Sequence, residues 1–257
     1  MLSKNQISFI HSLHQKKFRK QEGLFIAEGE KIVDDLLASG FTVKNVFATE
    51  SFIEKQKSKK KNTSEWIAVT ENELKKISSL TTPNQALGIV EIPSYKIDER
   101  EISNSLSLVL DDISDPGNLG TIIRIADWFG IKNIICSPDT ADCYNPKVVQ
   151  ASMGSLFRTK IHYEKLEIFF ELNLKSMKRE VFAALLEGEN IYSANLPSTG
   201  FIVLGNESKG IGKELKKYFS QALLIPSFST DKNASADSLN VAVAAAIVCS
   251  EFRRRGK

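Results

Sequence analysis

The chain is poor in the residues that build covalent or metal-bound frameworks. It has 3 cysteines, Cys136, Cys143 and Cys249, an odd number with no Cys-x-x-Cys spacing, and only 3 histidines. That argues against a disulfide framework or a zinc site. His11 and His14 stand three residues apart, but no third ligand is close in sequence, so they read as exposed polar residues and no metal is expected. Long apolar runs are missing as well. The longest, Val241–Cys249, falls far short of the roughly 20 residues a membrane span needs. No apolar signal segment opens the chain, so a cytoplasmic protein with no membrane partner is expected. Nor is there an excess of one charge sign: 34 Lys and Arg against 31 Asp and Glu leave a net +3, too little to announce nucleic acid.

What is present is ordinary in amount and uneven in distribution. At 257 residues, 42% hydrophobic and 25% charged, the chain suits one large or two modest soluble domains. No internal repeat is visible. Basic residues come in bursts: Lys16, Lys17, Arg19 and Lys20, then Lys55, Lys57, Lys59, Lys60 and Lys61, then Arg253, Arg254 and Arg255. Each could meet a phosphate backbone. Taken singly, a solvated helix face or loop accounts for any of them.

In chain order, residues 1–22 read as a helical arm, with Leu2, Ile7, Ile10 and Leu13 at near-helical spacing. Residues 23–92 read as a small α/β domain: strands at 24–27, 43–48, 66–69 and 86–92, and helices at 29–39 and 71–78. With no clustered acid, base and nucleophile, this domain is expected to bind rather than catalyse. The first domain is therefore placed at 1–92, a linker at 93–104 and a second domain at 105–257. From Ser105 strands alternate with helices: strands 106–110, 133–136, 156–162 (extended), 181–185, 201–204 and 222–225, with helices ending near Phe129 and spanning 145–153, 165–177 and 238–253. That pattern implies a mostly parallel sheet with helices on both faces.

Three loops leave strand ends in this second part. Leu106–Leu110 runs into Asp111-Asp112 and a Pro116-Gly117 break before a helix opening near Asn118. Such a loop is where open α/β sheets place ligands. The second loop, Gly205-Asn206-Glu207-Ser208-Lys209-Gly210-Ile211-Gly212, has phosphate-loop glycine spacing. Ile211 and Gly212 stand where that motif needs Lys and Ser or Thr, and no G-x-G-x-x-G follows any strand, so nucleoside triphosphate and dinucleotide readings both fall. Its glycines bring backbone groups close to a ligand, or else make an ordinary strand-to-helix turn with Glu207 at a helix N-terminus. The third loop follows Ile225-Pro226. A polar stretch leads to Ser238-Leu239-Asn240, with Asp237 or Ser238 the natural cap of the next helix; Asn240 then sits awkwardly inside it.

Together the three loops resemble the three motifs of the SpoU (TrmH-like) RNA 2′-O-ribose methyltransferases. They are Asn118-x-Gly120-x-x-x-Arg124 in the context Asp115-Pro116-Gly117-Asn118-Leu119-Gly120, then Val203–Ile211, then Ile225-Pro226 with Ser238-Leu239-Asn240-Val241-Ala242-Val243-Ala244. Each is weak alone; in this order and spacing they are highly specific. The likeness covers about residues 105–250. Residues 20–92 more loosely resemble the family's small substrate-binding domain, as in Phe25-Ile26-Ala27-Glu28-Gly29.

The resemblance implies methyl transfer from S-adenosylmethionine to a ribose 2′-hydroxyl of structured RNA, by a homodimer whose catalytic domain ends in a deep trefoil knot. It assigns Asn118, Arg124, Glu207, Ser238 and Asn240 to catalysis. Leu204, Gly205, Asn206, Gly210, Ile225, Ser227 and Leu239 are assigned to the cofactor. Lys16, Lys17, Arg19, Lys57, Lys59, Lys60 and Lys61 become expected RNA contacts, because RNA needs a phosphate-tracking surface. The family analogy casts Arg124 as proton acceptor, yet a free guanidinium stays protonated at any ordinary pH, so clamping a phosphate suits it better. One departure stands out: eleven residues without glycine, Ser227–Asp237, replace a usually short glycine-containing stretch, a composition that suits a mobile lid. The extra N-terminal domain favours ribosomal over transfer RNA by analogy. The competing readings are a transfer-RNA enzyme, a non-catalytic RNA-binding relative and a small-molecule α/β enzyme.

Overall fold

The computed structural model describes residues 1–56, 63–82, 84–177, 179–229 and 237–255. It divides into two compact units, Met1–Ser94 with Asp142–Arg158, and Tyr95–Ala141 with Thr159–Lys257. In chain order the elements are α1 (Lys4–Ser12), α2 (Lys16–Glu22), β1 (Leu24–Glu28), α3 (Glu30–Leu37), β2 (Val43–Ala48), α4 (Glu50–Lys55), β3 (Thr63–Ala68), α5 (Glu71–Ile77) and β4 (Ala86–Glu91). Then come α6 (Glu99–Ser103), β5 (Leu106–Asp111), α7 (Pro116–Trp128), β6 (Asn133–Cys136), α8 (Pro146–Ser152), β7 (Lys160–Tyr163), α9 (Leu166–Met177), β8 (Val181–Asn190), β9 (Gly200–Gly205), β10 (Gln221–Leu224) and α10 (Val241–Arg255).

The first unit is a sheet of order β1-β4-β2-β3, antiparallel at β4 and parallel between β2 and β3. Ile26, Phe47, Leu87 and Ile89 pack against Leu74 and Ile77 of α5 and Ile10 of α1. Helix starts are set locally: Ser3 with Gln6, and Thr70 with Glu73, form capping boxes that satisfy otherwise orphaned N–H groups. Residues 142–158, placed by the sequence pattern in the second domain, pack within this unit. The Tyr144 ring lies 4.7 Å from that of Phe25, Phe157 lies 5.3 Å from Phe41, and Gln150 Nε2 donates to the Glu28 carbonyl at 2.7 Å.

One expected RNA contact is corrected here. Arg19 is 2% exposed. Its Nε and Nη2 donate to Asp142 Oδ2 and its Nη1 to the carbonyls of Leu13 and His14, so no donor pair is left for a phosphate. Its α2 neighbours Lys16 and Lys17 are exposed. His14, read as exposed, is half-buried, and burial pushes its pKa down.

The second unit is a sheet of order β10-β8-β9-β5-β6-β7 in which every pairing is parallel. Helices cover both faces. Val109, Val181, Ala183 and Phe201 meet Phe169 and Phe170 of α9, while Phe182, pointing the other way, packs 5.1 Å from Phe252 of α10. The presumed linker carries α6, capped by Asp98, with Ile102 buried. Residues 156–158, expected to be extended, fall in a 3-10 turn, Ser155–Arg158, before β7. β8 outruns its expected end at Leu185, and its register with β10 jumps from Ala183↔Ala222 to Glu189↔Leu223. Residues 184–188 therefore bulge from the ladder. Gly188 (φ +152°) allows this, since a Cβ there would sit 2.5 Å from the Ala222 carbonyl oxygen.

The chain leaves β5 towards β6 and β7, and then returns to place β9 on the other side of β5. The carboxyl ends of β5 and β9 thus mark a topological switch point, where open α/β sheets form their ligand crevice.

Candidate active site

Each loop reaches this crevice through a local capping decision. Asp115 caps α7 by accepting the Asn118 N–H at 2.8 Å, with Pro116 at the first helical position. That puts Asn118 on the first turn, where its Nδ2 donates to Glu207 Oε1 at 2.6 Å. At α10 the cap is Asn240, not Asp237 or Ser238: its Oδ1 accepts the Ala242 and Val243 N–H groups at 2.9 and 3.3 Å. The helix starts at Val241, so Asn240 was never a helix-interior residue. With Oδ1 spent on the cap, Nδ2 reaches Asn118 Oδ1 at 2.9 Å and Glu207 Oε1 at 3.0 Å. Three loops far apart in sequence are thus joined by one triangle of side chains.

The loop carrying Glu207 is rigidly closed. Asn206 and Gly210 exchange backbone hydrogen bonds of 3.1 and 2.8 Å, and Asn206 Oδ1 accepts the Ser208 and Lys209 N–H groups. Gly210 takes φ +71°. Gly205 is obligatory because a Cβ on it would lie 2.5 Å from the Gly210 carbonyl carbon. Asp111, the last residue of β5, and Asp112 just after it hold this loop. Asp111 Oδ2 accepts the Gly212 N–H at 2.8 Å, the Asp112 carbonyl accepts Asn206 Nδ2 at 2.8 Å, and the Asp112 carboxylate pairs with Lys209 Nζ at 2.7 Å. Burial pushes the Asp111 carboxyl pKa up, partly offset by the Gly212 N–H. The hydrogen bond to Asp112 raises the pKa of Lys209. Reading the sequence noted these acids but gave them no task; two acids closing a buried strand were the available signal.

Residues 105–250 match the SpoU rRNA Methylase family model, and residues 4–88 match an MRM3-like substrate binding domain. The chain belongs to the SpoU rRNA Methylase family. It is 29% identical to the 23S rRNA (guanosine(2553)-2′-O)-methyltransferase RlmP of Bacillus subtilis (strain 168), over 94% of this chain and 93% of that one. Among solved structures it resembles a TrmH-family protein from Porphyromonas gingivalis, 35% identical with a TM-score of 0.89, covering 100% of both chains. It also resembles an AdoMet-bound rRNA methyltransferase from Sinorhizobium meliloti, 30% identical with a TM-score of 0.85, covering 99% of this chain and 96% of that one.

Beside the triangle this SpoU fold forms an open cavity of about 780 Å³, within the range of small-molecule sites. Every residue assigned to the cofactor by resemblance lines it: Leu204, Gly205, Asn206, Gly210, Ile225, Ser227 and Leu239. So do Glu207 and Ser238, and so do residues that sequence reasoning missed, namely Leu185 and Leu186 of the β8 bulge, Lys209 and Asp237. The fit to S-adenosylmethionine is good on these grounds. The walls are largely apolar, as an adenosine face requires, and among the lining groups Glu207 and Asp237 are acids that suit a cationic donor. Arg124 is exposed on α7 and enters none of the triangle's hydrogen bonds. It follows Asn118 by six residues, about 120° round the helix. Lys57, Lys59, Lys60, Lys61 and part of the expected lid (230–236) lie outside the described residues.

Proposed function

We propose that this protein transfers the methyl group of S-adenosylmethionine to a ribose 2′-hydroxyl of ribosomal RNA. The observation that carries the reading is the Asn118–Glu207–Asn240 triangle at the rim of the cavity, set on a SpoU-family fold. S-adenosylmethionine supplies a methyl on a sulfonium, which leaves as a neutral thioether, so the protein must provide alignment and an outlet for one proton. Alignment supplies much of the rate in such reactions. Both amides converge on Glu207 Oε1, which leaves Oε2 to accept the hydrogen bond of the ribose hydroxyl, orient its lone pair towards the methyl and take up its proton as the C–O bond forms. Ser238 at the cavity wall positions the same hydroxyl. Arg124 clamps an adjoining phosphate, which its planar fork suits. Leu204, Gly205, Asn206, Gly210, Ile225, Ser227 and Leu239 hold the donor, mostly through backbone groups.

The first unit is the RNA-binding part, supported by its match to a substrate binding domain and by exposed Lys16 and Lys17; the lysine-rich sequence Lys57, Lys59, Lys60 and Lys61 is proposed to contribute further contacts. The deep trefoil knot of the second unit rests on family likeness. The homodimer rests on that likeness too, with support from apolar side chains left outward on the two packed helices, Trp128 on α7 and Val243 on α10.

The test is radiolabelled methyl transfer from S-adenosylmethionine to total RNA, followed by mapping of 2′-O-methyl sites in a deletion strain. Loss of one ribosomal site is the expected result. Loss of a transfer-RNA site instead would move the substrate, and RNA binding with no transfer would make the protein a non-catalytic relative.

A further inference from the structure

Asp112 is held in a way that the catalytic triangle does not require. It takes φ +54°, a left-handed conformation that Asp tolerates better than most residues but that still costs energy. Its N–H donates to Ser137 Oγ at 2.9 Å, and Ser137 is itself buried against Thr140. Its carbonyl holds Asn206. The consequence is that its carboxylate points at Lys209 Nζ, 2.7 Å away. Among the described residues that line the cavity, Lys209 is the one basic side chain and Glu207 and Asp237 are the acids. Unpaired, its charge would cancel half of theirs.

We propose that Asp112 is a specificity-determining residue that neutralises Lys209, so that the cavity keeps the full negative charge of Glu207 and Asp237 and favours the cationic methyl donor over its neutral thioether product. This rests on the reading of the cavity as an S-adenosylmethionine site. The chemistry gives the arrangement a use. Methyl transfer discharges the sulfonium, so a pocket that binds partly by charge loosens its hold on the product at the moment it forms. A clasp that merely stiffened the loop would hold both molecules equally.

The experiment measures equilibrium binding of S-adenosylmethionine and S-adenosylhomocysteine, without RNA, to the full chain and three variants. Asp112→Asn keeps the left-handed backbone, because Asn adopts it as readily, and removes only the charge. One unit of charge at the edge of an open cavity changes a cation's affinity by about threefold to tenfold. Asp112→Asn is therefore expected to weaken the sulfonium ligand by that factor and to leave the thioether within about twofold, with the gap shrinking in high salt. Lys209→Met should shift the preference the other way, and the Asp112→Asn/Lys209→Met pair should return the wild-type ratio. Equal weakening of both ligands, or no change in either, overturns the proposal. Wild-type protein that binds neither ligand overturns the underlying site reading instead.

Discussion

Two polar networks in this molecule are built from similar groups and do opposite things. In the first unit Arg19 spends its donors on Asp142 and two backbone carbonyls, and the buried Glu28 receives Ser78 and Ser79 on both its oxygens. In the second unit Asn118, Glu207 and Asn240 meet at an exposed edge, with both amides on a single carboxylate oxygen. A buried charge must be fully paired, because each unmet group costs its desolvation. An exposed one has no such need and adds little to stability. A convergent polar cluster kept where it contributes little to folding, with an oxygen left open, is arranged for a ligand. A saturated one is arranged for the fold.

The largest effect should come from opening the saturated network. Arg19→Met would leave Asp142 and two carbonyls without their donor and is expected to cost about 3–5 kcal/mol of stability by urea unfolding. A loss under about 1 kcal/mol would erase the contrast. Glu207→Gln keeps the acceptor for both amides and removes the charge. Turnover should fall by about a hundredfold while the melting temperature stays within about 2 °C, and a fall in melting temperature without a fall in turnover would make the triangle structural. Arg124→Lys keeps charge and loses the fork, and turnover or RNA affinity should drop by about tenfold. Near-full turnover with unchanged RNA affinity would remove Arg124 from both proposed roles.

The smallest effect is on pH dependence. Burial, helped by the Lys160 charge, holds the His162 pKa below its ordinary value, and burial does the same for His14. Each binds a proton more readily unfolded than folded. Stability from this source is therefore complete above about pH 6.5 and declines as pH falls below it, by at most about 1.4 kcal/mol per pH unit per group. His162→Gln should flatten part of that slope in urea titrations between pH 5 and 7, and an unchanged slope would clear His162 of any contribution.

How legible the molecule was varied with the range of the interaction. β5 read correctly from Leu106–Leu110, because an apolar run ending in acids, proline and glycine is a local signal. α10 was found, but its cap was misassigned. Asp237, Ser238 and Asn240 are all good caps by type, and only the positions of Asn118 and Glu207 make Asn240 the one whose amide is useful. Arg19 shows the converse failure. Within a run of lysines it looks like a phosphate contact, and nothing local says that Asp142, 123 residues away, will bury it. The β8 bulge was invisible for the same reason, since it depends on register with a strand some forty positions on.

The sequence by itself determined the alternation of strands and helices, the three loops and their glycines, and thereby the family and the chemistry to expect. These follow from periodicity, capping and steric exclusion, which act within a few residues. Tertiary structure alone decided which polar groups are saturated and which are left open. Asp112 and Lys209 became a pair, Asn118, Glu207 and Asn240 a triangle, and Arg19 a buried anchor, because side-chain pairing depends on distances through space that the order of residues does not state.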